Sequence, residues 1–445
     1  MIKTFKRGGV HPDDCKLSAD AAIVPVAPEG TVQIFLAQHI GAPAVPVVAK
    51  GDKVKAGQLV AKAAGFVSAN IHSSVSGTVT MIDKVADHLG VRRDAIVVKV
   101  EGDEWLESID RSPDTLTEIR LSPEEIVRKI AEAGIVGLGG AAFPSHVKLS
   151  PPPGKTAECL VVNAAECEPY LTSDYRVMTE HAEELLVGVR ILMKALKIRR
   201  AYIGIETNKP KAIERLRSLL AAESEGITVV PLKKKYPQGG EKQLIQAITG
   251  REVPSGALPV DAGVVVHNVG TALAVYEAVQ KNKPLMENVV TVTGKHLSAQ
   301  KNLLVRVGTP VSRLIEIAGG LPESTGKIIL GGPMMGKAIS NIDAPTQKST
   351  SAILLMHESE SRRGQPSACI RCARCVTACP MSLEPYLLKR LAERSMFDEL
   401  ESNAAHDCIE CGCCIYSCPA NLPLLDYIRL GKAEVLKRKR SRAAK

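Results

Sequence analysis

Two cysteine-rich segments near the end of the chain have the residue types and spacing to bind metal. The first reads CIRCARCVTACP and the second CIECGCCIYSCP, so each follows the pattern C-x2-C-x2-C-x3-C-P. In this pattern three thiolates bind one iron–sulfur cluster and the fourth reaches a neighbouring cluster. The duplicated pattern therefore predicts two 4Fe-4S clusters. One is assigned to Cys369, Cys372, Cys375 and Cys418, and the other to Cys408, Cys411, Cys414 and Cys379.

Two other uses of cysteine fit this spacing less well. Structural zinc takes four ligands per ion and does not require a third cysteine at x2, a fourth at x3 and a proline. Disulfide frameworks are typical of small secreted domains, whereas this chain has 445 residues and twelve cysteines, nine of them in these two segments. Cys413 is out of register, because the x2 spacing selects Cys414, and we expect it to pack beside a cluster as a bystander.

The cysteine motifs belong to a long chain. Its length predicts about three or four domains, which must position these cysteines. Its longest apolar runs fall far short of the ~18 residues that a membrane-spanning helix needs. The opening residues, MIKTFKRGGVHP, lack the apolar segment of a signal peptide. We therefore expect a chain with reduced thiols on the cytoplasmic side.

The formal net charge of +9 is concentrated at one end. The last fourteen residues hold seven basic side chains against one acid. Two interpretations remain open: a solvated tail, or contact with an anionic surface such as membrane headgroups or an acidic partner. Aromatic residues make up 3% of the chain, too few to build stacking platforms for nucleic acid.

Residues 1–115 alternate short β-like runs with glycine and proline. The segment GDKVKAGQLVA followed by IHSSVSGTV resembles the barrel-sandwich fold of biotinyl and lipoyl carrier domains. Those carriers present a lysine at the hairpin tip, and the matching position here is Phe66. We therefore expect a docking or covering domain without a swinging arm.

Residues 116–285 predict an α/β domain. A capping box, SPEE, opens a helix at Ser122, and from Cys159 onward β-branched runs alternate with helical stretches. Ligands of such folds bind outside the carboxyl ends of the strands. The glycine-rich segment GIVGLGGAAFPSHVK could be a phosphate cradle or a plain tight turn. Glu166 and Glu168, after the first strand, could bind a flavin or ribose or be solvated loop acids.

The remaining chain predicts three units. Residues 286–345 form a compact β-rich unit with one helix, in which GGPMMG is a turn with Met334 and Met335 as core filler. Residues 360–431 form a mainly helical cluster domain, with helical spacing at Leu387, Leu388 and Leu391, and residues 432–445 are the basic tail.

Several segments together resemble the family of C subunits of the Rnf electron transport complex, over essentially the whole chain: GGVHP, QHIGAPA, GLGGAAFPSHVK, NAAECEPYLTSDYRVM, HNVGTALAV, GGPMMG and the two cysteine motifs. The central part is also similar to the NADH-oxidising flavoprotein subunit of respiratory complex I. The resemblance implies a multidomain fold, α/β plus β. Its parts would be a barrel-sandwich-like domain, a Rossmann-like domain for flavin and nucleotide, a β-grasp-like (SLBB) domain and a helical two-cluster ferredoxin domain.

The resemblance also implies the ligands of each site. It places the phosphate of an FMN at Gly137, Gly139, Gly140 and Lys148, and the rest of that cofactor near Asn163, Glu166, Asn268 and Thr271. It places NADH over the flavin near Phe143, with Glu168 and Glu241 as acids lining the nucleotide cleft.

The function implied is that of a peripheral subunit on the cytoplasmic side of the cell membrane. It would exchange electrons between NAD(H) and ferredoxin through FMN and both clusters, coupled to Na+ or H+ translocation by membrane-embedded partner subunits. A flavin is needed because nicotinamide moves two electrons as a hydride, whereas a cluster accepts one. Two alternatives stay open: a soluble flavin–iron–sulfur NADH dehydrogenase, and an iron–sulfur electron carrier that binds no nucleotide.

Charge predicts an order of potentials for the two clusters. Arg371 and Arg374 lie in the first motif, whereas Asp407 and Glu410 flank the second. Because nearby positive charge favours the reduced cluster, we expect the first cluster to have the higher potential.

Overall fold

A computed structural model describes residues 2–221 and 226–443. Its N-terminal region contains two sheets with one shared core. The larger has the strand order β2-β8-β7-β4 and the smaller β3-β5-β6, and valine and isoleucine side chains from both are buried between them. This is the predicted barrel-sandwich arrangement. The strands of this region are β1 (Ile23–Pro25), β2 (Thr31–Phe35), β3 (Val45–Pro46), β4 (Lys53–Val54), β5 (Leu59–Lys62), β6 (Ile71–His72), β7 (Gly77–Ala86) and β8 (Arg92–Val100).

The central region is a parallel sheet with helices on it, and its strand order is β11-β10-β9-β12. The strands are β9 (Cys159–Ala164), β10 (Ala201–Glu206), β11 (Ile227–Leu232) and β12 (Val264–Asn268). The order reverses between β9 and β12, which is the Rossmann-like topology that the resemblance implies and which agrees with the α/β domain that the alternating pattern predicts. Ligands of such sheets bind at this switch point.

Seven α-helices accompany the central sheet in the described part of the chain. They are α1 (Pro123–Glu132), α2 (Ser145–Lys148), α3 (Ser173–Glu180), α4 (Ala182–Leu196), α5 (Pro210–Leu220), α6 (Glu241–Thr249) and α7 (Val269–Gln280). The predicted capping box is present, because Ser122 Oγ accepts from the backbone of Glu125 and the Glu125 carboxylate accepts from that of Ser122. Helix α4 packs closely on α7 at Gly188, where a Cβ would have no room beside the Ala272 carbonyl.

The third region is a mixed six-stranded sheet with the order β1-β14-β13-β17-β15-β16. Its elements are β13 (Glu287–Thr293), β14 (Lys301–Arg306), α8 (Val311–Ile317), β15 (Thr325–Leu330), β16 (Lys337–Ala338), β17 (Ala352–His357) and α9 (Glu358–Ser361). The sheet reaches beyond the predicted range 286–345. Strand β17 lies inside it because the apolar residues 352–355 are buried, and β1 adds a parallel edge from the N-terminal segment.

The cysteine motifs lie in a helical region, as predicted. Its helices are α10 (Arg374–Thr377), α11 (Pro385–Glu393), α12 (Phe397–Ser402), α13 (Cys413–Tyr416) and α14 (Leu424–Ala443). The basic tail forms the end of α14, and residues 444–445 lie outside the described residues. Arg438 pairs with Glu434, and Arg442 with Glu401, so part of the tail's charge is neutralised within the chain. No helix in the described ranges is both long and apolar enough to cross a membrane.

Candidate functional site

The switch point of the central sheet carries two asparagines. Asn163 lies near the end of β9 and Asn268 ends β12, and the two are paired across the strands. The Asn268 Oδ1 accepts from the backbone of Gly270 at 2.8 Å and of Thr271 at 3.4 Å, which caps α7. Its Nδ2 donates to Asp174 over 2.7 Å. The side chain of Asn268 is thus fixed at the mouth of the crevice.

The glycine-rich loop packs against this cap. The backbone N–H of Leu138 donates to Thr271 Oγ1 over 3.0 Å. A Cβ on Gly139 would lie 2.6 Å from Asn268 Nδ2, whereas one on Gly140 would meet nothing within 4 Å. The predicted phosphate residues Gly137, Gly139 and Gly140 therefore belong to a loop beside the N-terminus of α7, where the helix dipole favours an anion.

Lys148 and Glu241 face each other across the crevice. The Lys148 ammonium donates to Glu241 Oε1 over 2.9 Å and to the carbonyl of Val266 over 3.1 Å, and both side chains are partly exposed. A cation beside exposed loop amides is the donor set that a phosphate needs. The residues present therefore fit the phosphate end of an FMN.

The two acids after β9 are engaged elsewhere. Glu166 is buried, and its oxygens accept from the backbone of Asp174 at 2.7 Å and Tyr175 at 3.3 Å, at the start of α3. Glu168 Oε1 accepts from the backbone of Met334 and of Met335, each over 2.8 Å. Burial raises the pKa of both carboxyls. Both carboxylates therefore hold neighbouring backbone, Glu168 that of the GGPMMG turn.

The two methionines of that turn differ in their surroundings. Met334 packs among the buried residues beside the second motif, whereas the Met335 side chain is 48% exposed. The prediction that both serve as core filler is thus wrong for Met335, because the turn directs it outward.

Two lysines hold the loop that carries these acids, the partly buried Lys16 and the buried Lys209, and sequence reasoning missed both. Lys16 donates to the carbonyls of Glu166, Glu168 and Leu171 over 2.7–2.9 Å. Lys209 donates to the Ala165 carbonyl over 2.7 Å. Burial lowers the pKa of Lys16 to about 8. Nothing in the local sequence signals this role, since Lys16 is far away in the chain.

Asp174 is a further residue that the sequence prediction omitted. It is partly buried beside Asn268, and desolvation of its carboxyl followed by the charge of Glu166 raises its pKa to about 7. It lies in TSDYR, directly after the acidic loop, so its place in the motif was a usable signal. Its carboxyl orients Asn268 toward the cap of α7.

Four cysteines of the second motif line a cavity together with Cys379 from the first motif: Cys408, Cys411, Cys413 and Cys414. This proximity fits the crossed assignment of Cys408, Cys411, Cys414 and Cys379. Burial raises the pKa of the Cys408 thiol to about 11, so binding iron there must release protons. No three His, Cys, Asp or Glu side chains in the described ranges converge as around a single ion, and a four-iron cube is larger than one ion.

The other predicted set lies at the surface. Cys369 and Cys372 are exposed, and Cys375 and Cys418 are partly buried. The Ile370 side chain between the first two is 68% exposed. The two predicted cluster sites thus have different surroundings, one enclosed and one open to solvent.

The two motifs share a backbone conformation. Arg371 and Ala373 in the first, and Glu410 and Gly412 in the second, occupy equivalent positions and have φ between 56° and 78°. Left-handed residues at these points curl the chain around a central volume, and non-glycine residues adopt φ > 0 only where the surroundings over-determine it. The repeated strain supports a common ligand at both motifs.

A short segment after β11 joins the crevice to the cavity. Asn163 Nδ2 donates to the Gly239 carbonyl over 2.8 Å, and Tyr236 Oη donates to the Cys411 carbonyl over 2.9 Å. Cys413 is fully buried and its Sγ lies 3.9 Å from the Tyr236 carbonyl. Residues 236–239 therefore touch both sites.

The N-terminal segment also holds the cluster region. The backbone N–H of Gly9 donates to the Ala378 carbonyl over 2.9 Å. Gly8 has a φ of +66° and leaves no room for a Cβ beside the Cys379 backbone. Residues 2–25 thus contact the central, third and cluster regions, although the predicted N-terminal domain, 1–115, includes them.

Four known protein families match successive parts of the chain. The RnfC barrel sandwich hybrid domain matches residues 3–103 and the Nuo51 FMN-binding domain residues 130–277. The SLBB domain matches residues 289–338 and the 4Fe-4S dicluster domain residues 363–419. These matches agree with the fold, the crevice and the cysteine-lined cavity. Together they define the chain as an iron–sulfur flavoprotein that uses FMN and 4Fe-4S clusters.

Relatives with similar sequences span most of the chain. It is 49% identical over 402 residues to the C subunit of the proton-translocating ferredoxin:NAD(+) oxidoreductase complex of Clostridium ljungdahlii, covering 90% of this chain and 86% of that protein. It is 44% identical over 441 residues to the C subunit of the Na(+)-translocating ferredoxin:NAD(+) oxidoreductase complex of Acetobacterium woodii, covering 98% of each. The chain belongs to the family of C subunits of ion-translocating ferredoxin:NAD oxidoreductase complexes, the Rnf family.

A solved structure shares the fold. A chain of an NAD+-reducing NiFe hydrogenase in the H2-reduced state aligns with a TM-score of 0.52 at 18% identity, covering 74% of this chain and 65% of that chain. At this identity the likeness concerns the fold alone.

Proposed function

We propose that this chain is the nucleotide-binding subunit of a membrane-associated ferredoxin:NAD oxidoreductase. It lies on the cytoplasmic face as a peripheral subunit and exchanges electrons between NAD(H) and iron–sulfur partners, including ferredoxin indirectly. FMN, when bound, supplies the link between a two-electron hydride and single electrons. Two one-electron clusters match the two electrons of one hydride. The complexes to which the two relatives belong are named for different ions, although their C subunits are similar to this chain. We therefore assign ion translocation to the membrane subunits.

The observation that carries this proposal is the double contact of residues 236–239. Gly239 touches Asn163 at the switch point and Tyr236 touches Cys411 at the cavity, over 2.8 and 2.9 Å. The crevice and the enclosed cluster site are therefore adjoining parts of the molecule. Electrons from the crevice therefore reach the enclosed cluster site first. The second cluster site, which contains the exposed Cys369 and Cys372, lies at the surface.

We propose the following roles for the residues of the crevice. Gly137, Gly139, Gly140 and Lys148 hold the phosphate, with Asn163, Asn268 and Thr271 around the remaining cofactor, Phe143 near the nicotinamide and Glu241 at the cleft edge. Glu166 and Glu168 act through the loop that they stabilise, because their carboxylates are bound to backbone N–H groups.

Anaerobic purification tests the proposal. We expect one FMN and about eight irons per chain, with loss of flavin absorbance and appearance of cluster signals in electron paramagnetic resonance (EPR) when NADH is added. Iron without flavin would support the electron carrier instead. Full ferredoxin:NAD activity without membrane subunits would support the soluble dehydrogenase.

A further inference from the structure

A buried lysine, Lys348, joins three regions of the molecule. It lies in the segment between β16 and β17 of the third region and is 1% exposed. Its ammonium donates to the Asn70 carbonyl of the N-terminal region over 2.8 Å and to the Gly134 carbonyl of the central region over 2.7 Å. Its backbone N–H donates to Gln38 Oε1, also in the N-terminal region, over 3.0 Å. We call the contact of Lys348 with these three residues the Lys348 joint.

The Gly134 side of the joint lies where α1 ends and the glycine-rich loop begins. Gly134 has a φ of +63°, and a Cβ there would lie 2.1 Å from the Asn70 carbonyl oxygen and 2.9 Å from Lys348 Nζ. The carbonyl of the next residue, Ile135, accepts from the Ser145 N–H over 3.0 Å, which closes the loop. The C-terminal end of a helix carries partial negative charge and favours a cation. The joint therefore fixes the residues from which the glycine-rich loop starts.

The ammonium of Lys348 is buried without an acidic partner. No carboxylate among the described residues pairs with it, and both of its acceptors are backbone carbonyls. An ion that is taken out of water without a counter-ion is favoured in its neutral form. Burial accordingly lowers the pKa of Lys348 to about 7.

The other titratable groups at the joint do not change charge in the same pH range. They are His39 and His72, both from the N-terminal region. In the described ranges, no charged side chain of α1 or of the third region pairs with Lys348. Desolvation, followed by the charge of Lys348, lowers the pKa of His72 to about 3, and desolvation also lowers that of His39. Both rings are therefore neutral above pH ~7, and Lys348 alone titrates above it.

We propose that the Lys348 joint is a proton-sensitive contact that holds the end of α1 to the N-terminal and third regions and closes more firmly as protons become scarcer. The inference goes beyond the proposed function and does not depend on it. When the joint opens, water reaches the ammonium, and its pKa returns to about 10.4. Between about pH 7 and 10 the open joint therefore carries a proton that the closed joint has released to solvent, so raising the pH favours closure.

Hydrogen exchange of the full chain, followed by mass spectrometry, tests this proposal. Each rate is divided by that of an unstructured peptide at the same pH, which leaves the protection due to structure. For wild-type peptides that cover residues 130–136 and 345–350, we expect protection to rise about five- to tenfold from about pH 7.5 to 8.5, because closure releases one proton. Protection of α5, a partly exposed helix that makes none of these contacts, should stay constant.

Two variants remove the titration. Lys348→Met has no ionisable group, and Lys348→Arg keeps its charge at every pH used. In both variants, protection of the two peptides should no longer depend on pH. Lys281→Met is the matched control, because Lys281 is also buried but pairs with Asp110 over 2.9 Å. It should retain the wild-type dependence.

Three results would overturn the proposal. They are wild-type protection that does not change with pH, a dependence that survives in Lys348→Met, and loss of the dependence in Lys281→Met. If neither Lys348 variant folds, the wild-type comparison with α5 still decides, because an equal effect of pH on α5 and on the two peptides would exclude a local contact as the cause.

Discussion

Substituting Gly139 by alanine should disturb the flavin crevice through one side chain. The new Cβ would lie 2.6 Å from Asn268 Nδ2 and 3.0 Å from its Cβ, so Asn268 must move. Its movement breaks the cap on Gly270 and Thr271 and the bond to Asp174. Gly139 does not have a positive φ, so alanine can adopt its backbone conformation. The expected disturbance therefore comes only from the contact between the new Cβ and Asn268.

The size of the effect follows from the bonds lost. Loss of a helix N-cap costs about 1 kcal/mol, and loss of one buried hydrogen bond about 1 kcal/mol more. A total of about 1–2 kcal/mol corresponds to roughly 5- to 30-fold faster hydrogen exchange of the Gly270 and Thr271 amides. FMN affinity should fall by a similar factor, because the same cap forms the wall of the crevice.

Exchange is measured on flavin-free protein by mass spectrometry, and FMN affinity by fluorescence titration. Gly140→Ala is the control for exchange, since its Cβ meets nothing. Asn268→Ala should itself speed exchange, and adding Gly139→Ala to it should have little further effect, because the clashing group is gone. Additive effects in the double variant, or equal effects of Gly139→Ala and Gly140→Ala on exchange, would refute this explanation.

Three further predictions concern the clusters and the crevice. Cys379→Ser should lower the iron content from about eight to about four per chain, whereas Cys413→Ser should leave it unchanged, by colorimetric iron assay. The raised pKa of Asp174, about 7, means that the folded protein retains a proton that the unfolded chain releases above pH ~4. Stability should therefore fall as pH rises toward 7, and Asp174→Asn should flatten this dependence in thermal unfolding. Gly8→Ala should speed iron loss to a chelator, whereas Gly30→Ala, with a similar φ but open space, should not.

The sequence predicted those features that depend on local periodicity or fixed spacing. The barrel-sandwich region, the alternating central sheet, the helical cluster region and the capping box at Ser122 are of this kind, and all are present. The same holds for the approach of Cys379 to the second motif. The place of β17 within the third sheet was missed, because strand pairing depends on distant partners.

Side-chain direction in the acidic loop was the least predictable property. A carboxylate after a parallel strand can face the crevice or bind nearby backbone, and spacing does not distinguish the two. Glu166 and Glu168 both bind backbone here. Lys16, which completes the loop's hydrogen bonds, comes from a segment without any recognisable pattern. Such long-range polar contacts arise because buried carbonyls require donors wherever the fold can supply them.

The sequence predicts that the first cluster has the higher reduction potential because acids lie near the second cluster. The structure supports the same order of potentials but for a different reason. Glu410 is paired with Arg429 and Lys432 over 3.0 and 2.9 Å, and Asp407 lies 4.0 Å from Lys242. These acids are neutralised, so they give the second cluster little net negative field. Burial acts in the same direction, however, because reduction adds negative charge that an enclosed cavity solvates poorly. The enclosed cluster beside the crevice should therefore still have the lower potential, and the exposed cluster the higher.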